Sequence, residues 1–202
     1  MKVPASFETA FPALHAAGVL QEIRPESLSK HIVNTVGDLK AVNLMVLSCC
    51  DGHQFMHVTQ RTKFCCDEAK RVLGVDGVTD DCFHWRTENG GPFVLSVPGL
   101  QTRRYRGEED HVDRNVLASM EEGMNLKKIN VALLIGHTVC GKVKDTFTSL
   151  DEYSIYMARA KERLMAEFEM PSTHIITWLQ AHRQDGRHMY HVDYPNAMQA
   201  VA

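Results

Sequence analysis

The sequence predicts an α/β domain: a mostly parallel central sheet with helices on both faces, an N-terminal helical arm and a C-terminal antiparallel hairpin. Three observations predict it. Runs of strand length that are apolar on both faces alternate with segments of helical period, and such strands belong at the centre of a parallel sheet. The last two strand-like segments flank Gln184-Asp185-Gly186, and Asp-Gly is a hairpin turn signal. The chain has 202 residues, the size of one domain, and 44% of them are hydrophobic, enough to fill its core. Residues 1–38 read as the arm and 39–202 as the core of a single domain.

The elements follow in order. Residues 7–20 read as an amphipathic helix interrupted near Pro12. Pro25-Glu26-Ser27 opens a second helix that runs to about Val36. Residues 43–48 (Asn-Leu-Met-Val-Leu-Ser) form the first core strand, and residues 62–73 form a helix with Gly74 near its end. A polar, glycine-containing stretch follows over 76–91, with Cys82 and His84 in a loop beside Trp85. Residues 93–97 form a second strand, stopped by Pro98-Gly99. Arg103, Arg104 and Arg106 meet Glu108, Glu109 and Asp110 at once, which reads as a solvated loop. Residues 110–126 form a helix that packs through Val112, Val116, Met120 and Met124. Residues 130–135 form the third core strand, and residues 149–168 a long charged helix on which Tyr153 and Tyr156 are packing residues. Residues 174–183 and 187–194 are the hairpin arms. His188 and His191 fall on opposite faces of the second arm and do not share a ligand.

Composition excludes some functions. A net charge of −3 gives no footprint for nucleic acid or an anionic membrane. The start of the chain lacks a charged region followed by an apolar one, so a soluble cytoplasmic protein is expected. Six cysteines without a secretion signal read as reduced thiols, metal ligands or buried residues. Cys65 and Cys66, beside Asp67 and Glu68, read as a buried thiol next to an exposed one rather than as a metal site.

Chemistry concentrates at two strand ends. One is Val46-Leu47-Ser48-Cys49-Cys50-Asp51-Gly52-His53, the other Leu133-Leu134-Ile135-Gly136-His137-Thr138-Val139-Cys140-Gly141. Sites in open α/β sheets form beyond the carboxyl ends of strands, so both segments aim at one edge. Cys49 and Asp51 point the same way while the chain is extended, and His137 and Cys140 share a face if it turns. Gly136 and Gly141 permit close or unusual backbone paths there. Two thiolates and an imidazole suit zinc, and three protein ligands leave a fourth position for water or a carboxylate. From spacing alone a metal site and a set of merely buried cysteines stand as equal readings.

The motifs add to this. Cys49-Cys50-Asp51-Gly52-His53 resembles the Cys-x-Asp-x-Arg motif of the β-class carbonic anhydrases, and Gly136-His137-Thr138-Val139-Cys140-Gly141 resembles that family's Gly-His-(Ser/Thr)-x-Cys-Gly. Phe93-Val94-Leu95 with Gly99 is similar to the strand ending in its Arg-Asn-Ala-Gly-Asn, with Ser96, Val97, Pro98 and Leu100 departing from it. The resemblance covers roughly residues 40 to 195 and suits a divergent branch near the low-CO2-inducible or theta-type relatives. It implies zinc on Cys49, His137 and Cys140, with Asp51 either orienting a zinc-activated water or occupying the fourth position. It implies reversible hydration of CO2 to bicarbonate, and a homodimer or multiple of dimers. His53 stands where the family has the arginine that holds the aspartate off the metal. A shorter imidazole lacks the bidentate fork. His53 therefore either replaces that arginine, relays protons, or leaves Asp51 to close the site. Three readings follow: a carbonic anhydrase, a hydrolase of a CO2-like molecule such as carbonyl sulfide, or a zinc-binding protein without hydration activity.

Overall fold

The computed structural model describes residues 4–36, 39, 42–50, 83–96, 102–105 and 108–199. The helix expected over 62–73, Cys65, Cys66, Cys82, the Pro98-Gly99 stop and two candidate site residues, Asp51 and His53, lie outside the described residues.

The core is a six-stranded sheet. Its strands are β1 (Leu20–Ile23), β2 (Leu44–Cys49), β3 (Phe83–Glu88), β6 (Val131–His137), β7 (Ile175–Arg183) and β8 (Gly186–Val192), in the spatial order β1-β8-β7-β6-β2-β3. β3, β2, β6 and β7 are mutually parallel. β8 returns antiparallel to β7 through the expected Gln184-Asp185 turn, and β1 adds antiparallel to β8. β2 and β6 are buried at every position, which is what a continuously apolar run at the centre of a covered sheet requires.

Alternation sends their side chains to two layers. Met45, Leu47, Ala132, Leu134 and Leu179 face α1 (Ala5–Ala16), α4 (Val112–Lys127) and α5 (Leu150–Phe168), together with the short helices α3 (Phe93–Ser96) and α6 (Tyr194–Gln199). Leu44, Val46, Leu133, Ile135 and Trp178 face α2 (Leu28–Val36) through Leu28, Ile32 and Val36. Each such side chain, fully buried, contributes about 1.5–3 kcal/mol. The sheet is thus covered on both faces, as the sequence predicts.

Helix α5 shows why these residues fold so. Ser149 and Glu152 form a reciprocal capping box at its start. Leu150, Tyr153, Met157 and Leu164 recur at helical spacing and are buried. Its Arg163 reaches the buried Asp113 of α4 at 2.9 Å and the carbonyl of Leu95 in α3 at 3.3 Å, tying three helices together.

Four readings change. The first helix ends at Ala16, and Gly18 (φ +71) turns the chain so that Leu20 opens strand β1. Pro12 does not end that helix, because Phe7, Phe11 and Leu14 bury on one face and outweigh one lost backbone bond. The strand expected over 93–97 is replaced, over its described residues, by a helical turn at Phe93–Ser96. A short apolar run fits either state, and Gly90 and Gly91, both at positive φ, followed by Pro92, decide for the turn. The stretch expected as a loop contains β3, so His84 and Trp85 lie on a strand beside β2. Finally, Arg103 and Arg104 lie on β4 (Thr102–Tyr105), paired antiparallel with β5 (Glu108–His111) in a register that sets Arg103 opposite Asp110 and Arg104 opposite Glu109. Opposite charges across a ladder favour such pairing.

Candidate metal centre

The centre is built by two neighbouring parallel strands that end together. Ser48 is in register with Ile135, so Cys49 closes β2 where Gly136 and His137 close β6. Beyond β6 the chain is pinned to β7. The Thr138 N–H donates to the Gln180 carbonyl at 2.9 Å, and the His182 N–H donates to the Thr138 hydroxyl at 3.0 Å. Val139 then takes a left-handed conformation at φ +57, unfavourable for a β-branched residue by about 1–2 kcal/mol. That strained residue turns Cys140 back to the side of His137. The Cys140 carbonyl accepts from the N–H groups of Val143 and Lys144, which fixes the turn.

The two glycines of this motif differ. A Cβ on Gly136 would lie 2.7 Å from both the Met157 sulfur and Phe93 Cζ, so glycine there allows helices to approach the strand. A Cβ on Gly141 would meet nothing within 4 Å, so that glycine is not required for packing.

The donor atoms of Cys49, His137 and Cys140 lie within 4.8 Å of one another, and all three residues are buried. The sulfurs are 3.8 Å apart, too far for a disulfide. Tetrahedral zinc, with Zn–S near 2.3 Å, holds two sulfurs about 3.8 Å apart. The thiol pair therefore fits a zinc ion without moving. His137 Nδ1 is 3.3 Å from the Thr138 carbonyl, which suits an N–H at Nδ1 and a lone pair at Nε2. His137 Nε2 is buried and has no hydrogen-bond partner. An orphaned lone pair costs about 1–3 kcal/mol, and a metal ion offsets it.

A hydrogen bond from Cys140, with the Gly90 N–H assisting, holds the Cys49 thiol below the usual thiol range against burial. The same bond, then burial and the Cys49 charge, pushes Cys140 up. A divalent cation reverses that penalty by binding both thiolates.

Cys49, His137 and Cys140 thus converge as the sequence predicts. Among the described residues no carboxylate joins their cluster. The sequence missed the flank. Glu88, buried at the end of β3, is in register with Cys49. Its carbonyl accepts from the N–H groups of Cys50 and Gly91, and Asn89 Oδ1 accepts from the Cys50 thiol at 2.9 Å. A Cβ on Gly91 would lie 2.7 Å from the Cys49 nitrogen, so the loop presses on the ligand's own backbone. The Asn89-Gly90-Gly91 turn signal marks this loop in the sequence.

Phe93, Phe147 and Tyr153 form an edge-to-face cluster on the α5 side. Tyr153 packs as expected, but its buried hydroxyl has no hydrogen-bond partner. Burial, and then the Cys140 charge, push its pKa up. His188 is held by Glu22 and Asp185, at 2.6 and 3.0 Å. No helix among the described residues is long and apolar enough to cross a membrane. Searches of family models, of curated proteins and of solved structures find no match to this chain.

Proposed function

We propose that the chain is a zinc-dependent carbonic anhydrase, interconverting CO2 and bicarbonate. The observation that carries this reading is the buried Cys49–His137–Cys140 set: three donors among the described residues, spaced for a tetrahedral ion, at the carboxyl ends of adjacent parallel strands. Structural zinc sites use four protein ligands, whereas catalytic ones keep a position for water. Bound there, the ion would supply Lewis acidity that brings the pKa of water down toward about 7.

The chain's residues do the rest. Cys49 and Cys140 balance the ion's charge, and the Gly90 N–H at Cys49 tempers that thiolate. The Thr138 carbonyl sets the His137 tautomer, and the bonds of Thr138 to Gln180 and His182 hold the turn still. The Phe93, Phe147 and Tyr153 wall keeps the α5 side of the centre apolar. Asp51 and His53, two and four positions after Cys49, are assigned the orienting of the reacting water and the relay of its proton.

Two experiments test this. Purified protein should carry about one zinc per chain, and Cys140→Ser should lose it; undiminished metal in that variant sinks the ligand assignment. Oxygen-isotope exchange between CO2 and water should depend on the metal. A zinc-loaded protein with no exchange at pH 7 to 9 rejects the enzyme and leaves the zinc-binding reading, with Asp51 on the metal. In that case His53→Arg should restore exchange by drawing Asp51 away. Hydrolysis of carbonyl sulfide without exchange would select the related hydrolase.

A further inference from the structure

A cleft of about 440 Å³ lies on the other face of the sheet, between edge strand β1 and helix α2. That volume is in the range of small-molecule sites. Its lining includes Arg24 from the end of β1, Ser27, Lys30, His31 and Asn34 along one side of α2, and His191 of β8. Cys49 and Cys140 pack with the layer of α5, while α2 packs with the opposite layer, so the cleft is separate from the metal centre.

Its inner wall is polar and incomplete. The His31 and His191 rings are 4.8 Å apart, and Trp178, in register with His191, is 6.1 Å from His31. His31 Nε2, His191 Nδ1 and Trp178 Nε1 are all buried without a hydrogen-bond partner. Three such groups in one place imply a partner that the folded chain alone does not supply, since each unmade bond costs about 1–3 kcal/mol. Both imidazoles are half-buried and line the cleft, with Trp178 fully buried behind them.

Charge selects that partner. Arg24 and Lys30 are exposed and, among the described residues, make no ion pair. The lining carboxylate, Glu22, is turned to His188 at 2.6 Å. Burial and then the neighbouring His191 lower the pKa of His31 to about 4, and burial and then Lys161 lower that of His191. Both rings are therefore neutral near pH 7, and the fixed charge comes from the two cations. A dianion with several acceptor oxygens answers two cations and a ring of hydroxyl, amide and imidazole groups. A bare ion would leave most of the volume empty.

We propose that this cleft binds the phosphate group of a small phosphorylated molecule, gripped by Arg24 and Lys30 and backed by His31 and His191. The proposal does not rest on the zinc reading. Isotope-labelled protein, titrated with inorganic phosphate and separately with glycerol phosphate, tests it by magnetic resonance. Both should give saturable shifts at the His31, His191 and Trp178 ring nitrogens, the ester binding more tightly. The double variant Arg24→Gln, Lys30→Gln, at exposed positions, should weaken binding at least about tenfold while metal content stays unchanged. Overturning results are the absence of saturable shifts up to about 10 mM of either ligand, binding of phosphate but not the ester, or equal affinity in the double variant.

Discussion

Replacing Gly91 with alanine probes the metal centre without touching a ligand. Gly91 sits at φ +56, where an L side chain is disfavoured by about 1–2 kcal/mol. The added Cβ would lie 2.7 Å from the Cys49 nitrogen, 3.1 Å from the Ser48 carbonyl carbon and 3.2 Å from Cys49 Cα. All three are backbone atoms of a central strand, so no side-chain rotation relieves them. Ordinary contact begins near 3.4 Å, so the loop or the end of β2 must give by about 0.7 Å. Metal–ligand distances tolerate only about 0.2 Å. Gly91→Ala should therefore lower stability by about 2–3 kcal/mol, or about 5–10 °C in Tm, and weaken zinc about 10- to 100-fold, as losing an outer-shell contact does. Chelator competition and thermal unfolding of the metal-free protein measure the two effects separately. Wild-type zinc affinity in a folded Gly91→Ala protein would refute the claim that this loop positions Cys49.

Four further outcomes follow from the same structure. Gly141→Ala, with nothing within 4 Å of the new Cβ, should leave stability within about 0.5 kcal/mol of wild type in denaturant unfolding. Val139→Gly should relieve the left-handed strain while losing a partly buried side chain packed on the core, so stability of the metal-free protein should fall by less than the about 1.5–3 kcal/mol of a fully buried valine by the same measurement, and a larger loss would contradict the strain. The bond between the thiols lowers Cys49 and raises Cys140, so metal must displace the Cys140 proton; competition assays should show apparent affinity rising with pH around neutrality, about tenfold per unit for one proton displaced. Lys161 is buried on α5, and burial lowers its pKa to about 8 against the pull of Asp193. A base depressed on folding disfavours the folded state fully below about pH 8. That penalty fades as pH rises toward the unfolded value near 10.4, because the unfolded chain then binds more protons. Lys161→Met should add about 2–3 kcal/mol at pH 7 and flatten the rise in stability between pH 8 and 10.

The convergence of Cys49, His137 and Cys140 was legible because each closes or follows a run of apolar residues. Leu44–Cys49 and Val131–His137 announce buried strands, and the first polar groups after them must emerge at the sheet edge. The hairpin was legible from its Asp-Gly turn and the long helix from a charged segment carrying packing residues at helical spacing, and the structure adds a capping box at Ser149. β3 was not legible. It carries His84, Arg86, Thr87 and Glu88 in six residues, and nothing local says that such a segment pairs with β2. β1 was hidden because four residues continue directly from a helix pattern, and only pairing with β8, some 170 positions away, makes them a strand.

The two misreadings around residue 90 are one error with a chemical consequence. The sequence points to a strand over 93–97 and a loop over 83–88, whereas the structure sets β3 beside β2. With β3 in that place, Glu88 is in register with Cys49, Asn89 Oδ1 accepts from the neighbouring Cys50 thiol and the Gly90 N–H reaches Cys49. An apolar run fixes what is buried, but two burials of Phe93–Ser96 are possible, under the helices or within the sheet. What decides is the close passage of Gly91 over Cys49, a contact 42 positions apart in the chain that only a residue without Cβ permits. The glycine pair that looks like loop punctuation is therefore part of the metal centre: it lets the strand end, the chain reverse and a backbone N–H reach the Cys49 sulfur in four residues.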